Sequence, residues 1–421
     1  MPLPAETARP GGPTTPVTGG WVARLGLAGV GMLAGFYGPI QVLLGLQAAA
    51  LTPDHKEATL SLVTGVGAAL SIVANLLCGA LSDRTTSRLG RRVPWVVGGV
   101  LVGAVGLTVL SGADGVLTLV LAWCLVQGGL NATLAALTAA VPDLVPISQR
   151  GMVSGVVGMT QTIGIVLGTA IATLAGRVRA AYLVLAVLVL LAALPYALRS
   201  QDRPVGRRDG PRQGVLDFLR GFWISPRRHP DFAWAWLTRF LATVANALGT
   251  LYLLYFLTDA VGVADPELGV LVLTLLYALV VTGSAIGAGI WSDRVGRRKP
   301  FVIGGGLLMS AAALGLTLVQ TWPMAVAGAV VLGLGYGAYL AVDLALITEV
   351  LPRADDLARD LGIINIANSL PQVLAPAVVG PVIAWFAVHG TRAEGYRAVY
   401  LLAAVLGVAA SVLITRIRGV D

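Results

Sequence analysis

The sequence predicts an all-α membrane protein with twelve transmembrane helices, arranged as two six-helix bundles that are related by a parallel internal repeat. Three observations predict this fold. Hydrophobic residues make up 56% of the chain and charged residues only 12%, whereas soluble proteins contain about 25% charged residues. Twelve apolar stretches are long enough to cross a bilayer as helices, which takes about 20 residues each. One polar loop motif also occurs twice, about half a chain apart.

The apolar stretches divide six and six around one long polar segment. They are far longer than the roughly 10 alternating residues of a transmembrane β-strand, so helices are the predicted spanning elements. The mean hydropathy of the whole chain, +0.82, agrees with this interpretation. The predicted spans are 21–47, 57–81, 93–112, 115–140, 152–175, 179–198, 233–258, 267–291, 300–319, 322–350, 361–388 and 397–415.

The domain organisation follows from this division of the chain. Residues 1–20 contain no apolar run and are rich in proline and glycine, so they are predicted to form a disordered cytoplasmic tail. Residues 21–198 form the predicted N-terminal six-helix bundle and residues 199–232 a cytoplasmic linker. Residues 233–416 form the predicted C-terminal six-helix bundle, and residues 417–421 a second cytoplasmic tail.

The positions of Lys and Arg predict the orientation in the membrane. With the N-terminus inside, 23 of the 29 basic residues lie on the cytoplasmic side and 5 on the other side, which agrees with the positive-inside rule. Both termini are therefore expected in the cytoplasm. The use of 27 Arg but only 2 Lys is typical of a GC-rich bacterial genome, so a bacterial inner membrane is expected. These loops account for the net charge of +8, and no nucleic-acid partner is expected.

The repeated loop lies between the second and third predicted spans and again between the eighth and ninth. The first copy runs through residues 79–84, Gly-Ala-Leu-Ser-Asp-Arg, and closes with Gly-Arg-Arg at 90–92. The second copy is Gly-Ile-Trp-Ser-Asp-Arg at 289–294 and closes with Gly-Arg-Arg-Lys at 296–299. Because both copies follow a span with the same number in its half, the repeat is parallel.

This duplicated loop resembles the signature of the major facilitator superfamily. The longer first copy, residues 82–92, is similar to the variant found in the sucrose-transporter-like and glycoside–cation symporter branches. The resemblance implies a central cavity between two bundles that opens alternately to each side, with an ion gradient as the source of energy. It implies no nucleotide site, and the sequence contains no Gly-x-x-x-x-Gly-Lys-Ser/Thr loop. No cofactor and no metal are expected.

Acidic and basic residues of the two loops are predicted to form a cytoplasmic gate. Charge-assisted pairs between them would break when the cytoplasmic side opens. An alternative is that the arginines only set the topology, although topology does not require the acids. The predicted gate residues are Asp83, Arg84, Arg91, Arg92 and Asp143 in the first half, and Asp293, Arg294, Arg297, Arg298 and Glu349 in the second.

One carboxylate and one guanidinium are predicted to lie clearly inside spans. Asp343 belongs to the tenth span and Arg239 to the seventh, and such a charge costs about 2.5–3.5 kcal/mol near a helix centre. Both fall in the cytoplasmic third of their helices, so they can meet. A pair that alternates between two states would couple proton uptake to opening. A permanent structural salt bridge and direct contact with the substrate are the alternatives.

Neutral polar side chains recur at helical spacings of three, four and seven in several spans. Amides and tyrosyl hydroxyls can bind a hydroxylated solute, and an aromatic ring suits the apolar face of a sugar. The alternative is that these groups only form hydrogen bonds between helices. The predicted cavity residues are Tyr37, Gln41, Trp123, Gln127, Asn131, Gln161, Asn246, Tyr336, Tyr339, Asn365, Asn368 and Gln372.

The expected function is secondary active transport by alternating access, as a proton-coupled symporter for a sugar or polyol. The expected partners are a small-molecule substrate, protons and the lipid bilayer, and a monomer is favoured. One alternative is proton-driven efflux of drugs or amphipathic metabolites. Another, of a different class, is a membrane sensor or scaffold that transports nothing. No enzyme activity is expected, because the sequence shows no catalytic carboxylate pair, nucleophile triad or metal-ligand spacing.

Overall fold

The computed structural model describes residues 15–199, 202, 229–349 and 357–417. Within these ranges it is helical and contains no strand. Residues 1–14, most of the predicted linker 199–232 and residues 418–421 lie outside the described part of the chain. The helices, labelled α1 to α12, are Gly19–Leu51, Pro53–Arg84, Val93–Leu110, Val116–Leu144, Ile147–Leu174, Val178–Leu198, Pro230–Thr250 continued by Leu253–Val261, Pro266–Val295, Lys299–Leu318, Trp322–Glu349, Leu357–His389 and Arg392–Ile414.

Eleven of these helices are long and apolar enough to cross a membrane on their own. The twelfth, α7, passes the same test when its two segments are taken together across a bend of 47°. The helix pairs also repeat. In the first half α1 packs against α5 and α6, α4 against α2 and α3, and α3 against α6, and every one of these pairs recurs six helices later. The predicted all-α fold with a parallel internal repeat is therefore confirmed.

The equivalent helices α1 and α7 are both irregular near their C-terminal ends. In α1 a π-helical turn runs from Pro39 to Leu43, where proline lacks the N–H that a regular α-helix needs. In α7 the helix breaks after Thr250, and a π-helical turn follows at Leu257–Val261. Such turns are frequent at functional sites. Both lie where the two bundles approach each other.

The structure has two distinct ends. We call the end that carries the repeated loops 82–94 and 292–300 the basic end, and the opposite end the distal end. At the distal end α2 packs on α11, and α5 packs on α8. The contact between α2 and α11 is so close at Gly380 that an added Cβ would overlap Ser61. The two bundles therefore pack tightly against each other at the distal end.

The structure describes the last residues of the predicted N-terminal tail. Residues 15–20 belong to the predicted disordered tail, yet Val17 is buried and its N–H donates to Gln149 Oε1 at 2.8 Å. Thr18 then caps α1 by accepting from the N–H of Trp21 at 3.2 Å. A cap and a partner 132 residues away thus position these residues at the start of α1, despite their glycine-rich composition.

Candidate functional site

A buried ion pair lies between α7 and α10. Arg239 of α7 donates from Nη1 to Oδ2 of Asp343 on α10. Asp343 is only 1% exposed and Arg239 only 6%. The Nε of Arg239 donates to Oδ1 of Asn368 on α11 at 2.9 Å. The structure thus brings together both residues predicted to meet, and adds one of the predicted cavity amides as a third member.

The hydroxyl of Tyr339 is buried next to this pair. Tyr339 precedes Asp343 by one helical turn, so both side chains lie on the same face of α10. The hydroxyl interacts with the carboxylate of Asp343, although it does not reach full hydrogen-bond geometry with any described residue. A buried hydroxyl is costly unless it finds a partner, and Asp343 is the group that it faces. The Tyr339 hydroxyl can therefore reorient when the charge or the position of Asp343 changes.

Three tyrosines from both bundles form a cluster that reaches the buried pair through Tyr336. Tyr277 of α8 and Tyr336 of α10 stack at 6.4 Å between ring centroids and 26° between planes. The Tyr277 hydroxyl donates to Oδ1 of Asn246 at 3.1 Å. Tyr37 of α1 is within electrostatic range of both rings, and Tyr336 is within range of Arg239. Tyr277 was not predicted, because it is a single aromatic residue in an apolar run.

Three predicted cavity residues are buried within the first bundle. Trp123 of α4 has no exposed surface, and its ring fills the space beside Gly67 of α2. Asn131 donates from Nδ2 to the backbone oxygen of Gln127 at 2.9 Å and to its Oε1 at 3.1 Å. The two amides therefore bond to each other within one helix, while the indole packs against α2.

The remaining predicted cavity residues differ in their surroundings. Gln161 and Gln372 are exposed and Gln41 is partly exposed. Gln161 lies beside the hydroxyl of Tyr37, across the contact between α5 and α1. The side chain of Asn365 lies outside the described part of the structure.

The first repeated loop forms a network of ion pairs around Arg92. Its Nη2 lies 2.6 Å from Asp83 Oδ1 and 2.7 Å from Asp143 Oδ2, and its Nη1 donates to the Ser82 hydroxyl. Arg91 adds a second contact to Asp143 at 3.2 Å. Burial lowers the pKa of Arg92, but the hydrogen bonds and charges of Asp143 and Asp83 outweigh this and raise the pKa above its ordinary value. The network joins α2, α3 and α4 within one bundle.

A residue of the predicted linker caps the N-terminal end of α3. One carboxylate oxygen of Asp202 accepts from the backbone N–H of Arg92 at 2.6 Å and of Val93 at 3.3 Å. A carboxylate at this position satisfies free N–H groups and favours the helix dipole. Gly90 makes room for it, with φ of +90° and no space for a Cβ beside Asp202. This contact could not be predicted from the sequence, because 110 residues separate the partners.

The second loop is less enclosed. Asp293, Arg294 and Arg297 are exposed, as is Arg84 in the first loop, and Arg298 is partly buried. The side chain of Glu349 lies outside the described residues. The ion pairs predicted for this half of the gate therefore stay a prediction.

We expect Asp202→Ala to lower the stability of the protein by about 1 kcal/mol, the usual contribution of an N-terminal cap. The measurement is thermal unfolding in detergent. Asp114→Ala is a suitable control, because Asp114 is exposed in the loop between α3 and α4. Equal melting temperatures for the two variants would show that the Asp202 contact contributes nothing.

A metal site does not emerge from the described residues, in which no group of three His, Cys, Asp or Glu side chains is placed to hold an ion. Cys78 and Cys124 are free thiols in α2 and α4.

Sequence comparison supports the interpretation of the repeated loop. A family model described as Major Facilitator Superfamily matches residues 25–288 and again 240–421. The chain is also 31% identical over 170 residues to an uncharacterized MFS-type transporter, C18.02, of Schizosaccharomyces pombe (strain 972 / ATCC 24843). That match covers 38% of this chain and 36% of the yeast protein, so the chain spans about a third of the length of this relative.

Solved structures with the same fold cover almost the whole chain. A bacterial homolog to the human lysosomal transporter Spinster, in an inward-facing and unoccupied conformation, has a TM-score of 0.76 at 16% identity and covers 96% of this chain and 99% of its own. The nucleoside transporter NupG has a TM-score of 0.74 at 14% identity, and the match covers 94% of this chain and 99% of NupG. The peptide transporter POT in complex with sulfate has a TM-score of 0.76 at 14% identity, covering 96% of each chain. With its helix repeat, its duplicated loop and a family match over almost its entire length, the chain belongs to the Major Facilitator Superfamily and is a multi-pass membrane transporter of that type.

Proposed function

We propose that this transporter is a proton-coupled symporter that takes up a neutral hydroxylated solute, a sugar or polyol, by alternating access. The observation that carries the proposal is the buried Arg239–Asp343 pair with Asn368 as a third partner. Such charges are costly inside a membrane protein and usually mark an ion or substrate pathway. A scaffold or sensor that transports nothing would have no need for this pair.

Proton coupling follows from the partners of Asp343. When the carboxylate is charged, it holds Arg239 on the α10 side. A proton on Asp343 removes that attraction, so the guanidinium, which also donates to Asn368, can turn towards a solute hydroxyl. The two protonation states therefore favour different arrangements of α7, α10 and α11. This gives a proton a means of shifting the conformational equilibrium.

The solute class follows from the groups around the pair. Tyr37, Tyr277, Tyr336 and Asn246 offer hydroxyls, an amide and flat aromatic faces without net charge. Such groups suit a solute with several hydroxyls and one apolar face. The extended first loop, which is similar to the sucrose-transporter-like branch, points to the same class. The nucleoside transporter NupG shares the fold, so nucleosides belong in the test panel as well.

We further propose that the basic end faces the cytoplasm of a bacterial cell, with both termini inside. The distribution of Lys and Arg supports this orientation. The bundles at 21–198 and 233–416 then move relative to each other about the linker 199–232. The close packing at the distal end corresponds to a conformation that is shut towards the outside. A monomer suffices for this mechanism.

The test is solute-driven proton movement into proteoliposomes that contain a pH-sensitive dye. Disaccharides, monosaccharides, polyols and nucleosides are added in turn. We expect one class to acidify the lumen, and we expect protein-free liposomes to give no signal. A correctly folded protein that responds to none of these solutes would contradict symport of a hydroxylated solute.

Proton-driven efflux of an amphipathic compound is the second candidate. It is favoured by the burial of Trp123, Gln127 and Asn131 within the first bundle. If these residues do not contact the solute, the groups around Arg239 and Asp343 that remain to bind it are mainly tyrosines. The same liposomes distinguish the two functions. Efflux predicts that an imposed proton gradient drives an amphipathic dye against its concentration gradient, whereas sugars produce no acidification.

A further inference from the structure

The distal end carries two ion pairs between the bundles, and neither belongs to the candidate site described above. Lys56 of α2 pairs with Asp259 of α7, with Nζ 2.6 Å from Oδ1. Glu57, the next residue of α2, pairs with Arg392 of α12, with Oε1 2.9 Å from Nε. In both pairs one member lies in each bundle. Neither pair can persist when the bundles separate at this end.

Three of the four charged side chains are largely withdrawn from water, whereas that of Arg392 is 35% exposed. The side chain of Glu57 is 2% exposed, and those of Lys56 and Asp259 are 12% and 14% exposed. Shielded pairs of this kind are weakly screened by salt and interact more strongly than surface pairs. Glu57 stands at the first position of a predicted span, where the sequence alone does not distinguish a buried carboxylate from one at a helix boundary. Its burial is a finding of the structure.

Tyrosines reinforce the contact on the α7 side. The ring of Tyr255 lies 4.8 Å from the Lys56 ammonium, a cation–π distance, and its hydroxyl donates to the backbone oxygen of Gly45 in α1 at 2.7 Å. The hydroxyls of Tyr252 and Ser61 also form a hydrogen bond between the bundles. The end of α7 beyond its 47° bend is thus attached to both α1 and α2.

A third partner fixes Asp259 in place. The Tyr396 hydroxyl of α12 donates to Oδ2 of Asp259 at 3.1 Å. Arg392 precedes Tyr396 by one turn of the same helix. One end of α12 therefore touches both ion pairs, which links their formation and their rupture.

We propose that the pairs Lys56–Asp259 and Glu57–Arg392 form a distal gate, whose attraction holds the transporter shut on this side. The inference rests on the proposed alternating-access function and names the residues that set its closed state. The four charges cancel while the gate is closed. Opening separates them and exposes two carboxylates and two cations to the distal solvent.

Charge reversal tests the gate without knowledge of the solute. Lys56→Asp places a carboxylate against Asp259, and adding Asp259→Lys restores an attractive pair with reversed polarity. Spin labels at Asp54→Cys and Ala264→Cys, both exposed in opposite bundles, report the distal distance by double electron–electron resonance in lipid nanodiscs. Cys78→Ser and Cys124→Ser remove the native thiols from this background.

We expect Lys56→Asp to raise the ratio of distally open to closed molecules about tenfold, equivalent to about 1.4 kcal/mol. The double reversal should return the distribution to that of the parent. Arg397→Asp is the matched control, because Arg397 is an exposed distal cation of α12.

The gate is contradicted if Lys56→Asp leaves the distances unchanged, if the double reversal fails to restore them, or if Arg397→Asp opens the distal end equally. The proposed function would be contradicted by a different result. A protein with the expected distance changes but without solute-driven acidification would keep the gate and lose the assignment of a hydroxylated solute.

Discussion

Asp343→Asn is expected to abolish solute-driven proton movement and to lower the stability of the second bundle by about 3–5 kcal/mol. The reason for the loss of stability is that Arg239 would remain buried with an uncompensated charge, and removal of one partner from a buried ion pair costs about this much. The loss of proton movement follows because asparagine carries no titratable group. Stability is measured by chemical or thermal unfolding in detergent.

A double variant separates these two effects. Asp343→Asn combined with Arg239→Gln removes both charges, so we expect much of the lost stability to return, because a buried pair as a whole contributes little net stability. Proton coupling should stay absent in the double variant. If Asp343→Asn is as stable as the parent, the pair lies in a wetter environment than its 1% exposure indicates.

Arg92→Ala is expected to be the second most damaging substitution, with a loss of about 3 kcal/mol. Arg92 is 3% exposed and contacts Asp83, Asp143 and Ser82 at once. Its removal leaves Asp143 with Arg91 as its described ion-pair partner, and hydrogen bonds to charged groups contribute about 1.5–3 kcal/mol each. The measurement is the midpoint of thermal unfolding and the amount of protein inserted in the membrane.

Two further substitutions make this prediction specific. Arg92→Lys should recover only part of the stability, because an ammonium cannot contact two carboxylates with the planar geometry of a guanidinium. Arg88→Ala should have little effect, since Arg88 is exposed in the same loop. Equal losses for Arg88→Ala and Arg92→Ala would mean that the loop requires positive charge only, and would contradict a role for the ion-pair network.

The fold was predictable because the bilayer constrains each helix through residues that are consecutive in the sequence. A bilayer requires each span to be apolar over about 20 residues, and the repeated loop reveals the duplication directly. The Arg239–Asp343 pair was predictable for a related reason. A charge in an apolar span needs a partner, and each of these two residues was the nearest available partner for the other.

Contacts that depend on the arrangement of helices were not predictable from one sequence. Helical spacing placed Trp123, Gln127 and Asn131 on one face but could not indicate whether that face met the other bundle or α2. Asp202 and Glu57 were missed because their partners lie 110 and 335 residues away. Charges near the ends of helices are common, and only the packed structure distinguishes a buried pair from a solvated one.

The most direct test of the account compares two transport modes in proteoliposomes that contain the parent protein or Asp343→Asn. The modes are solute accumulation driven by a proton gradient, and counterflow exchange, which needs alternating access but no proton movement. For Asp343→Asn we predict that accumulation is lost while counterflow of the same sugar or polyol persists. Accumulation that survives in Asp343→Asn would contradict the assignment of Asp343 as the coupling group and would leave the Arg239–Asp343 pair as a structural salt bridge.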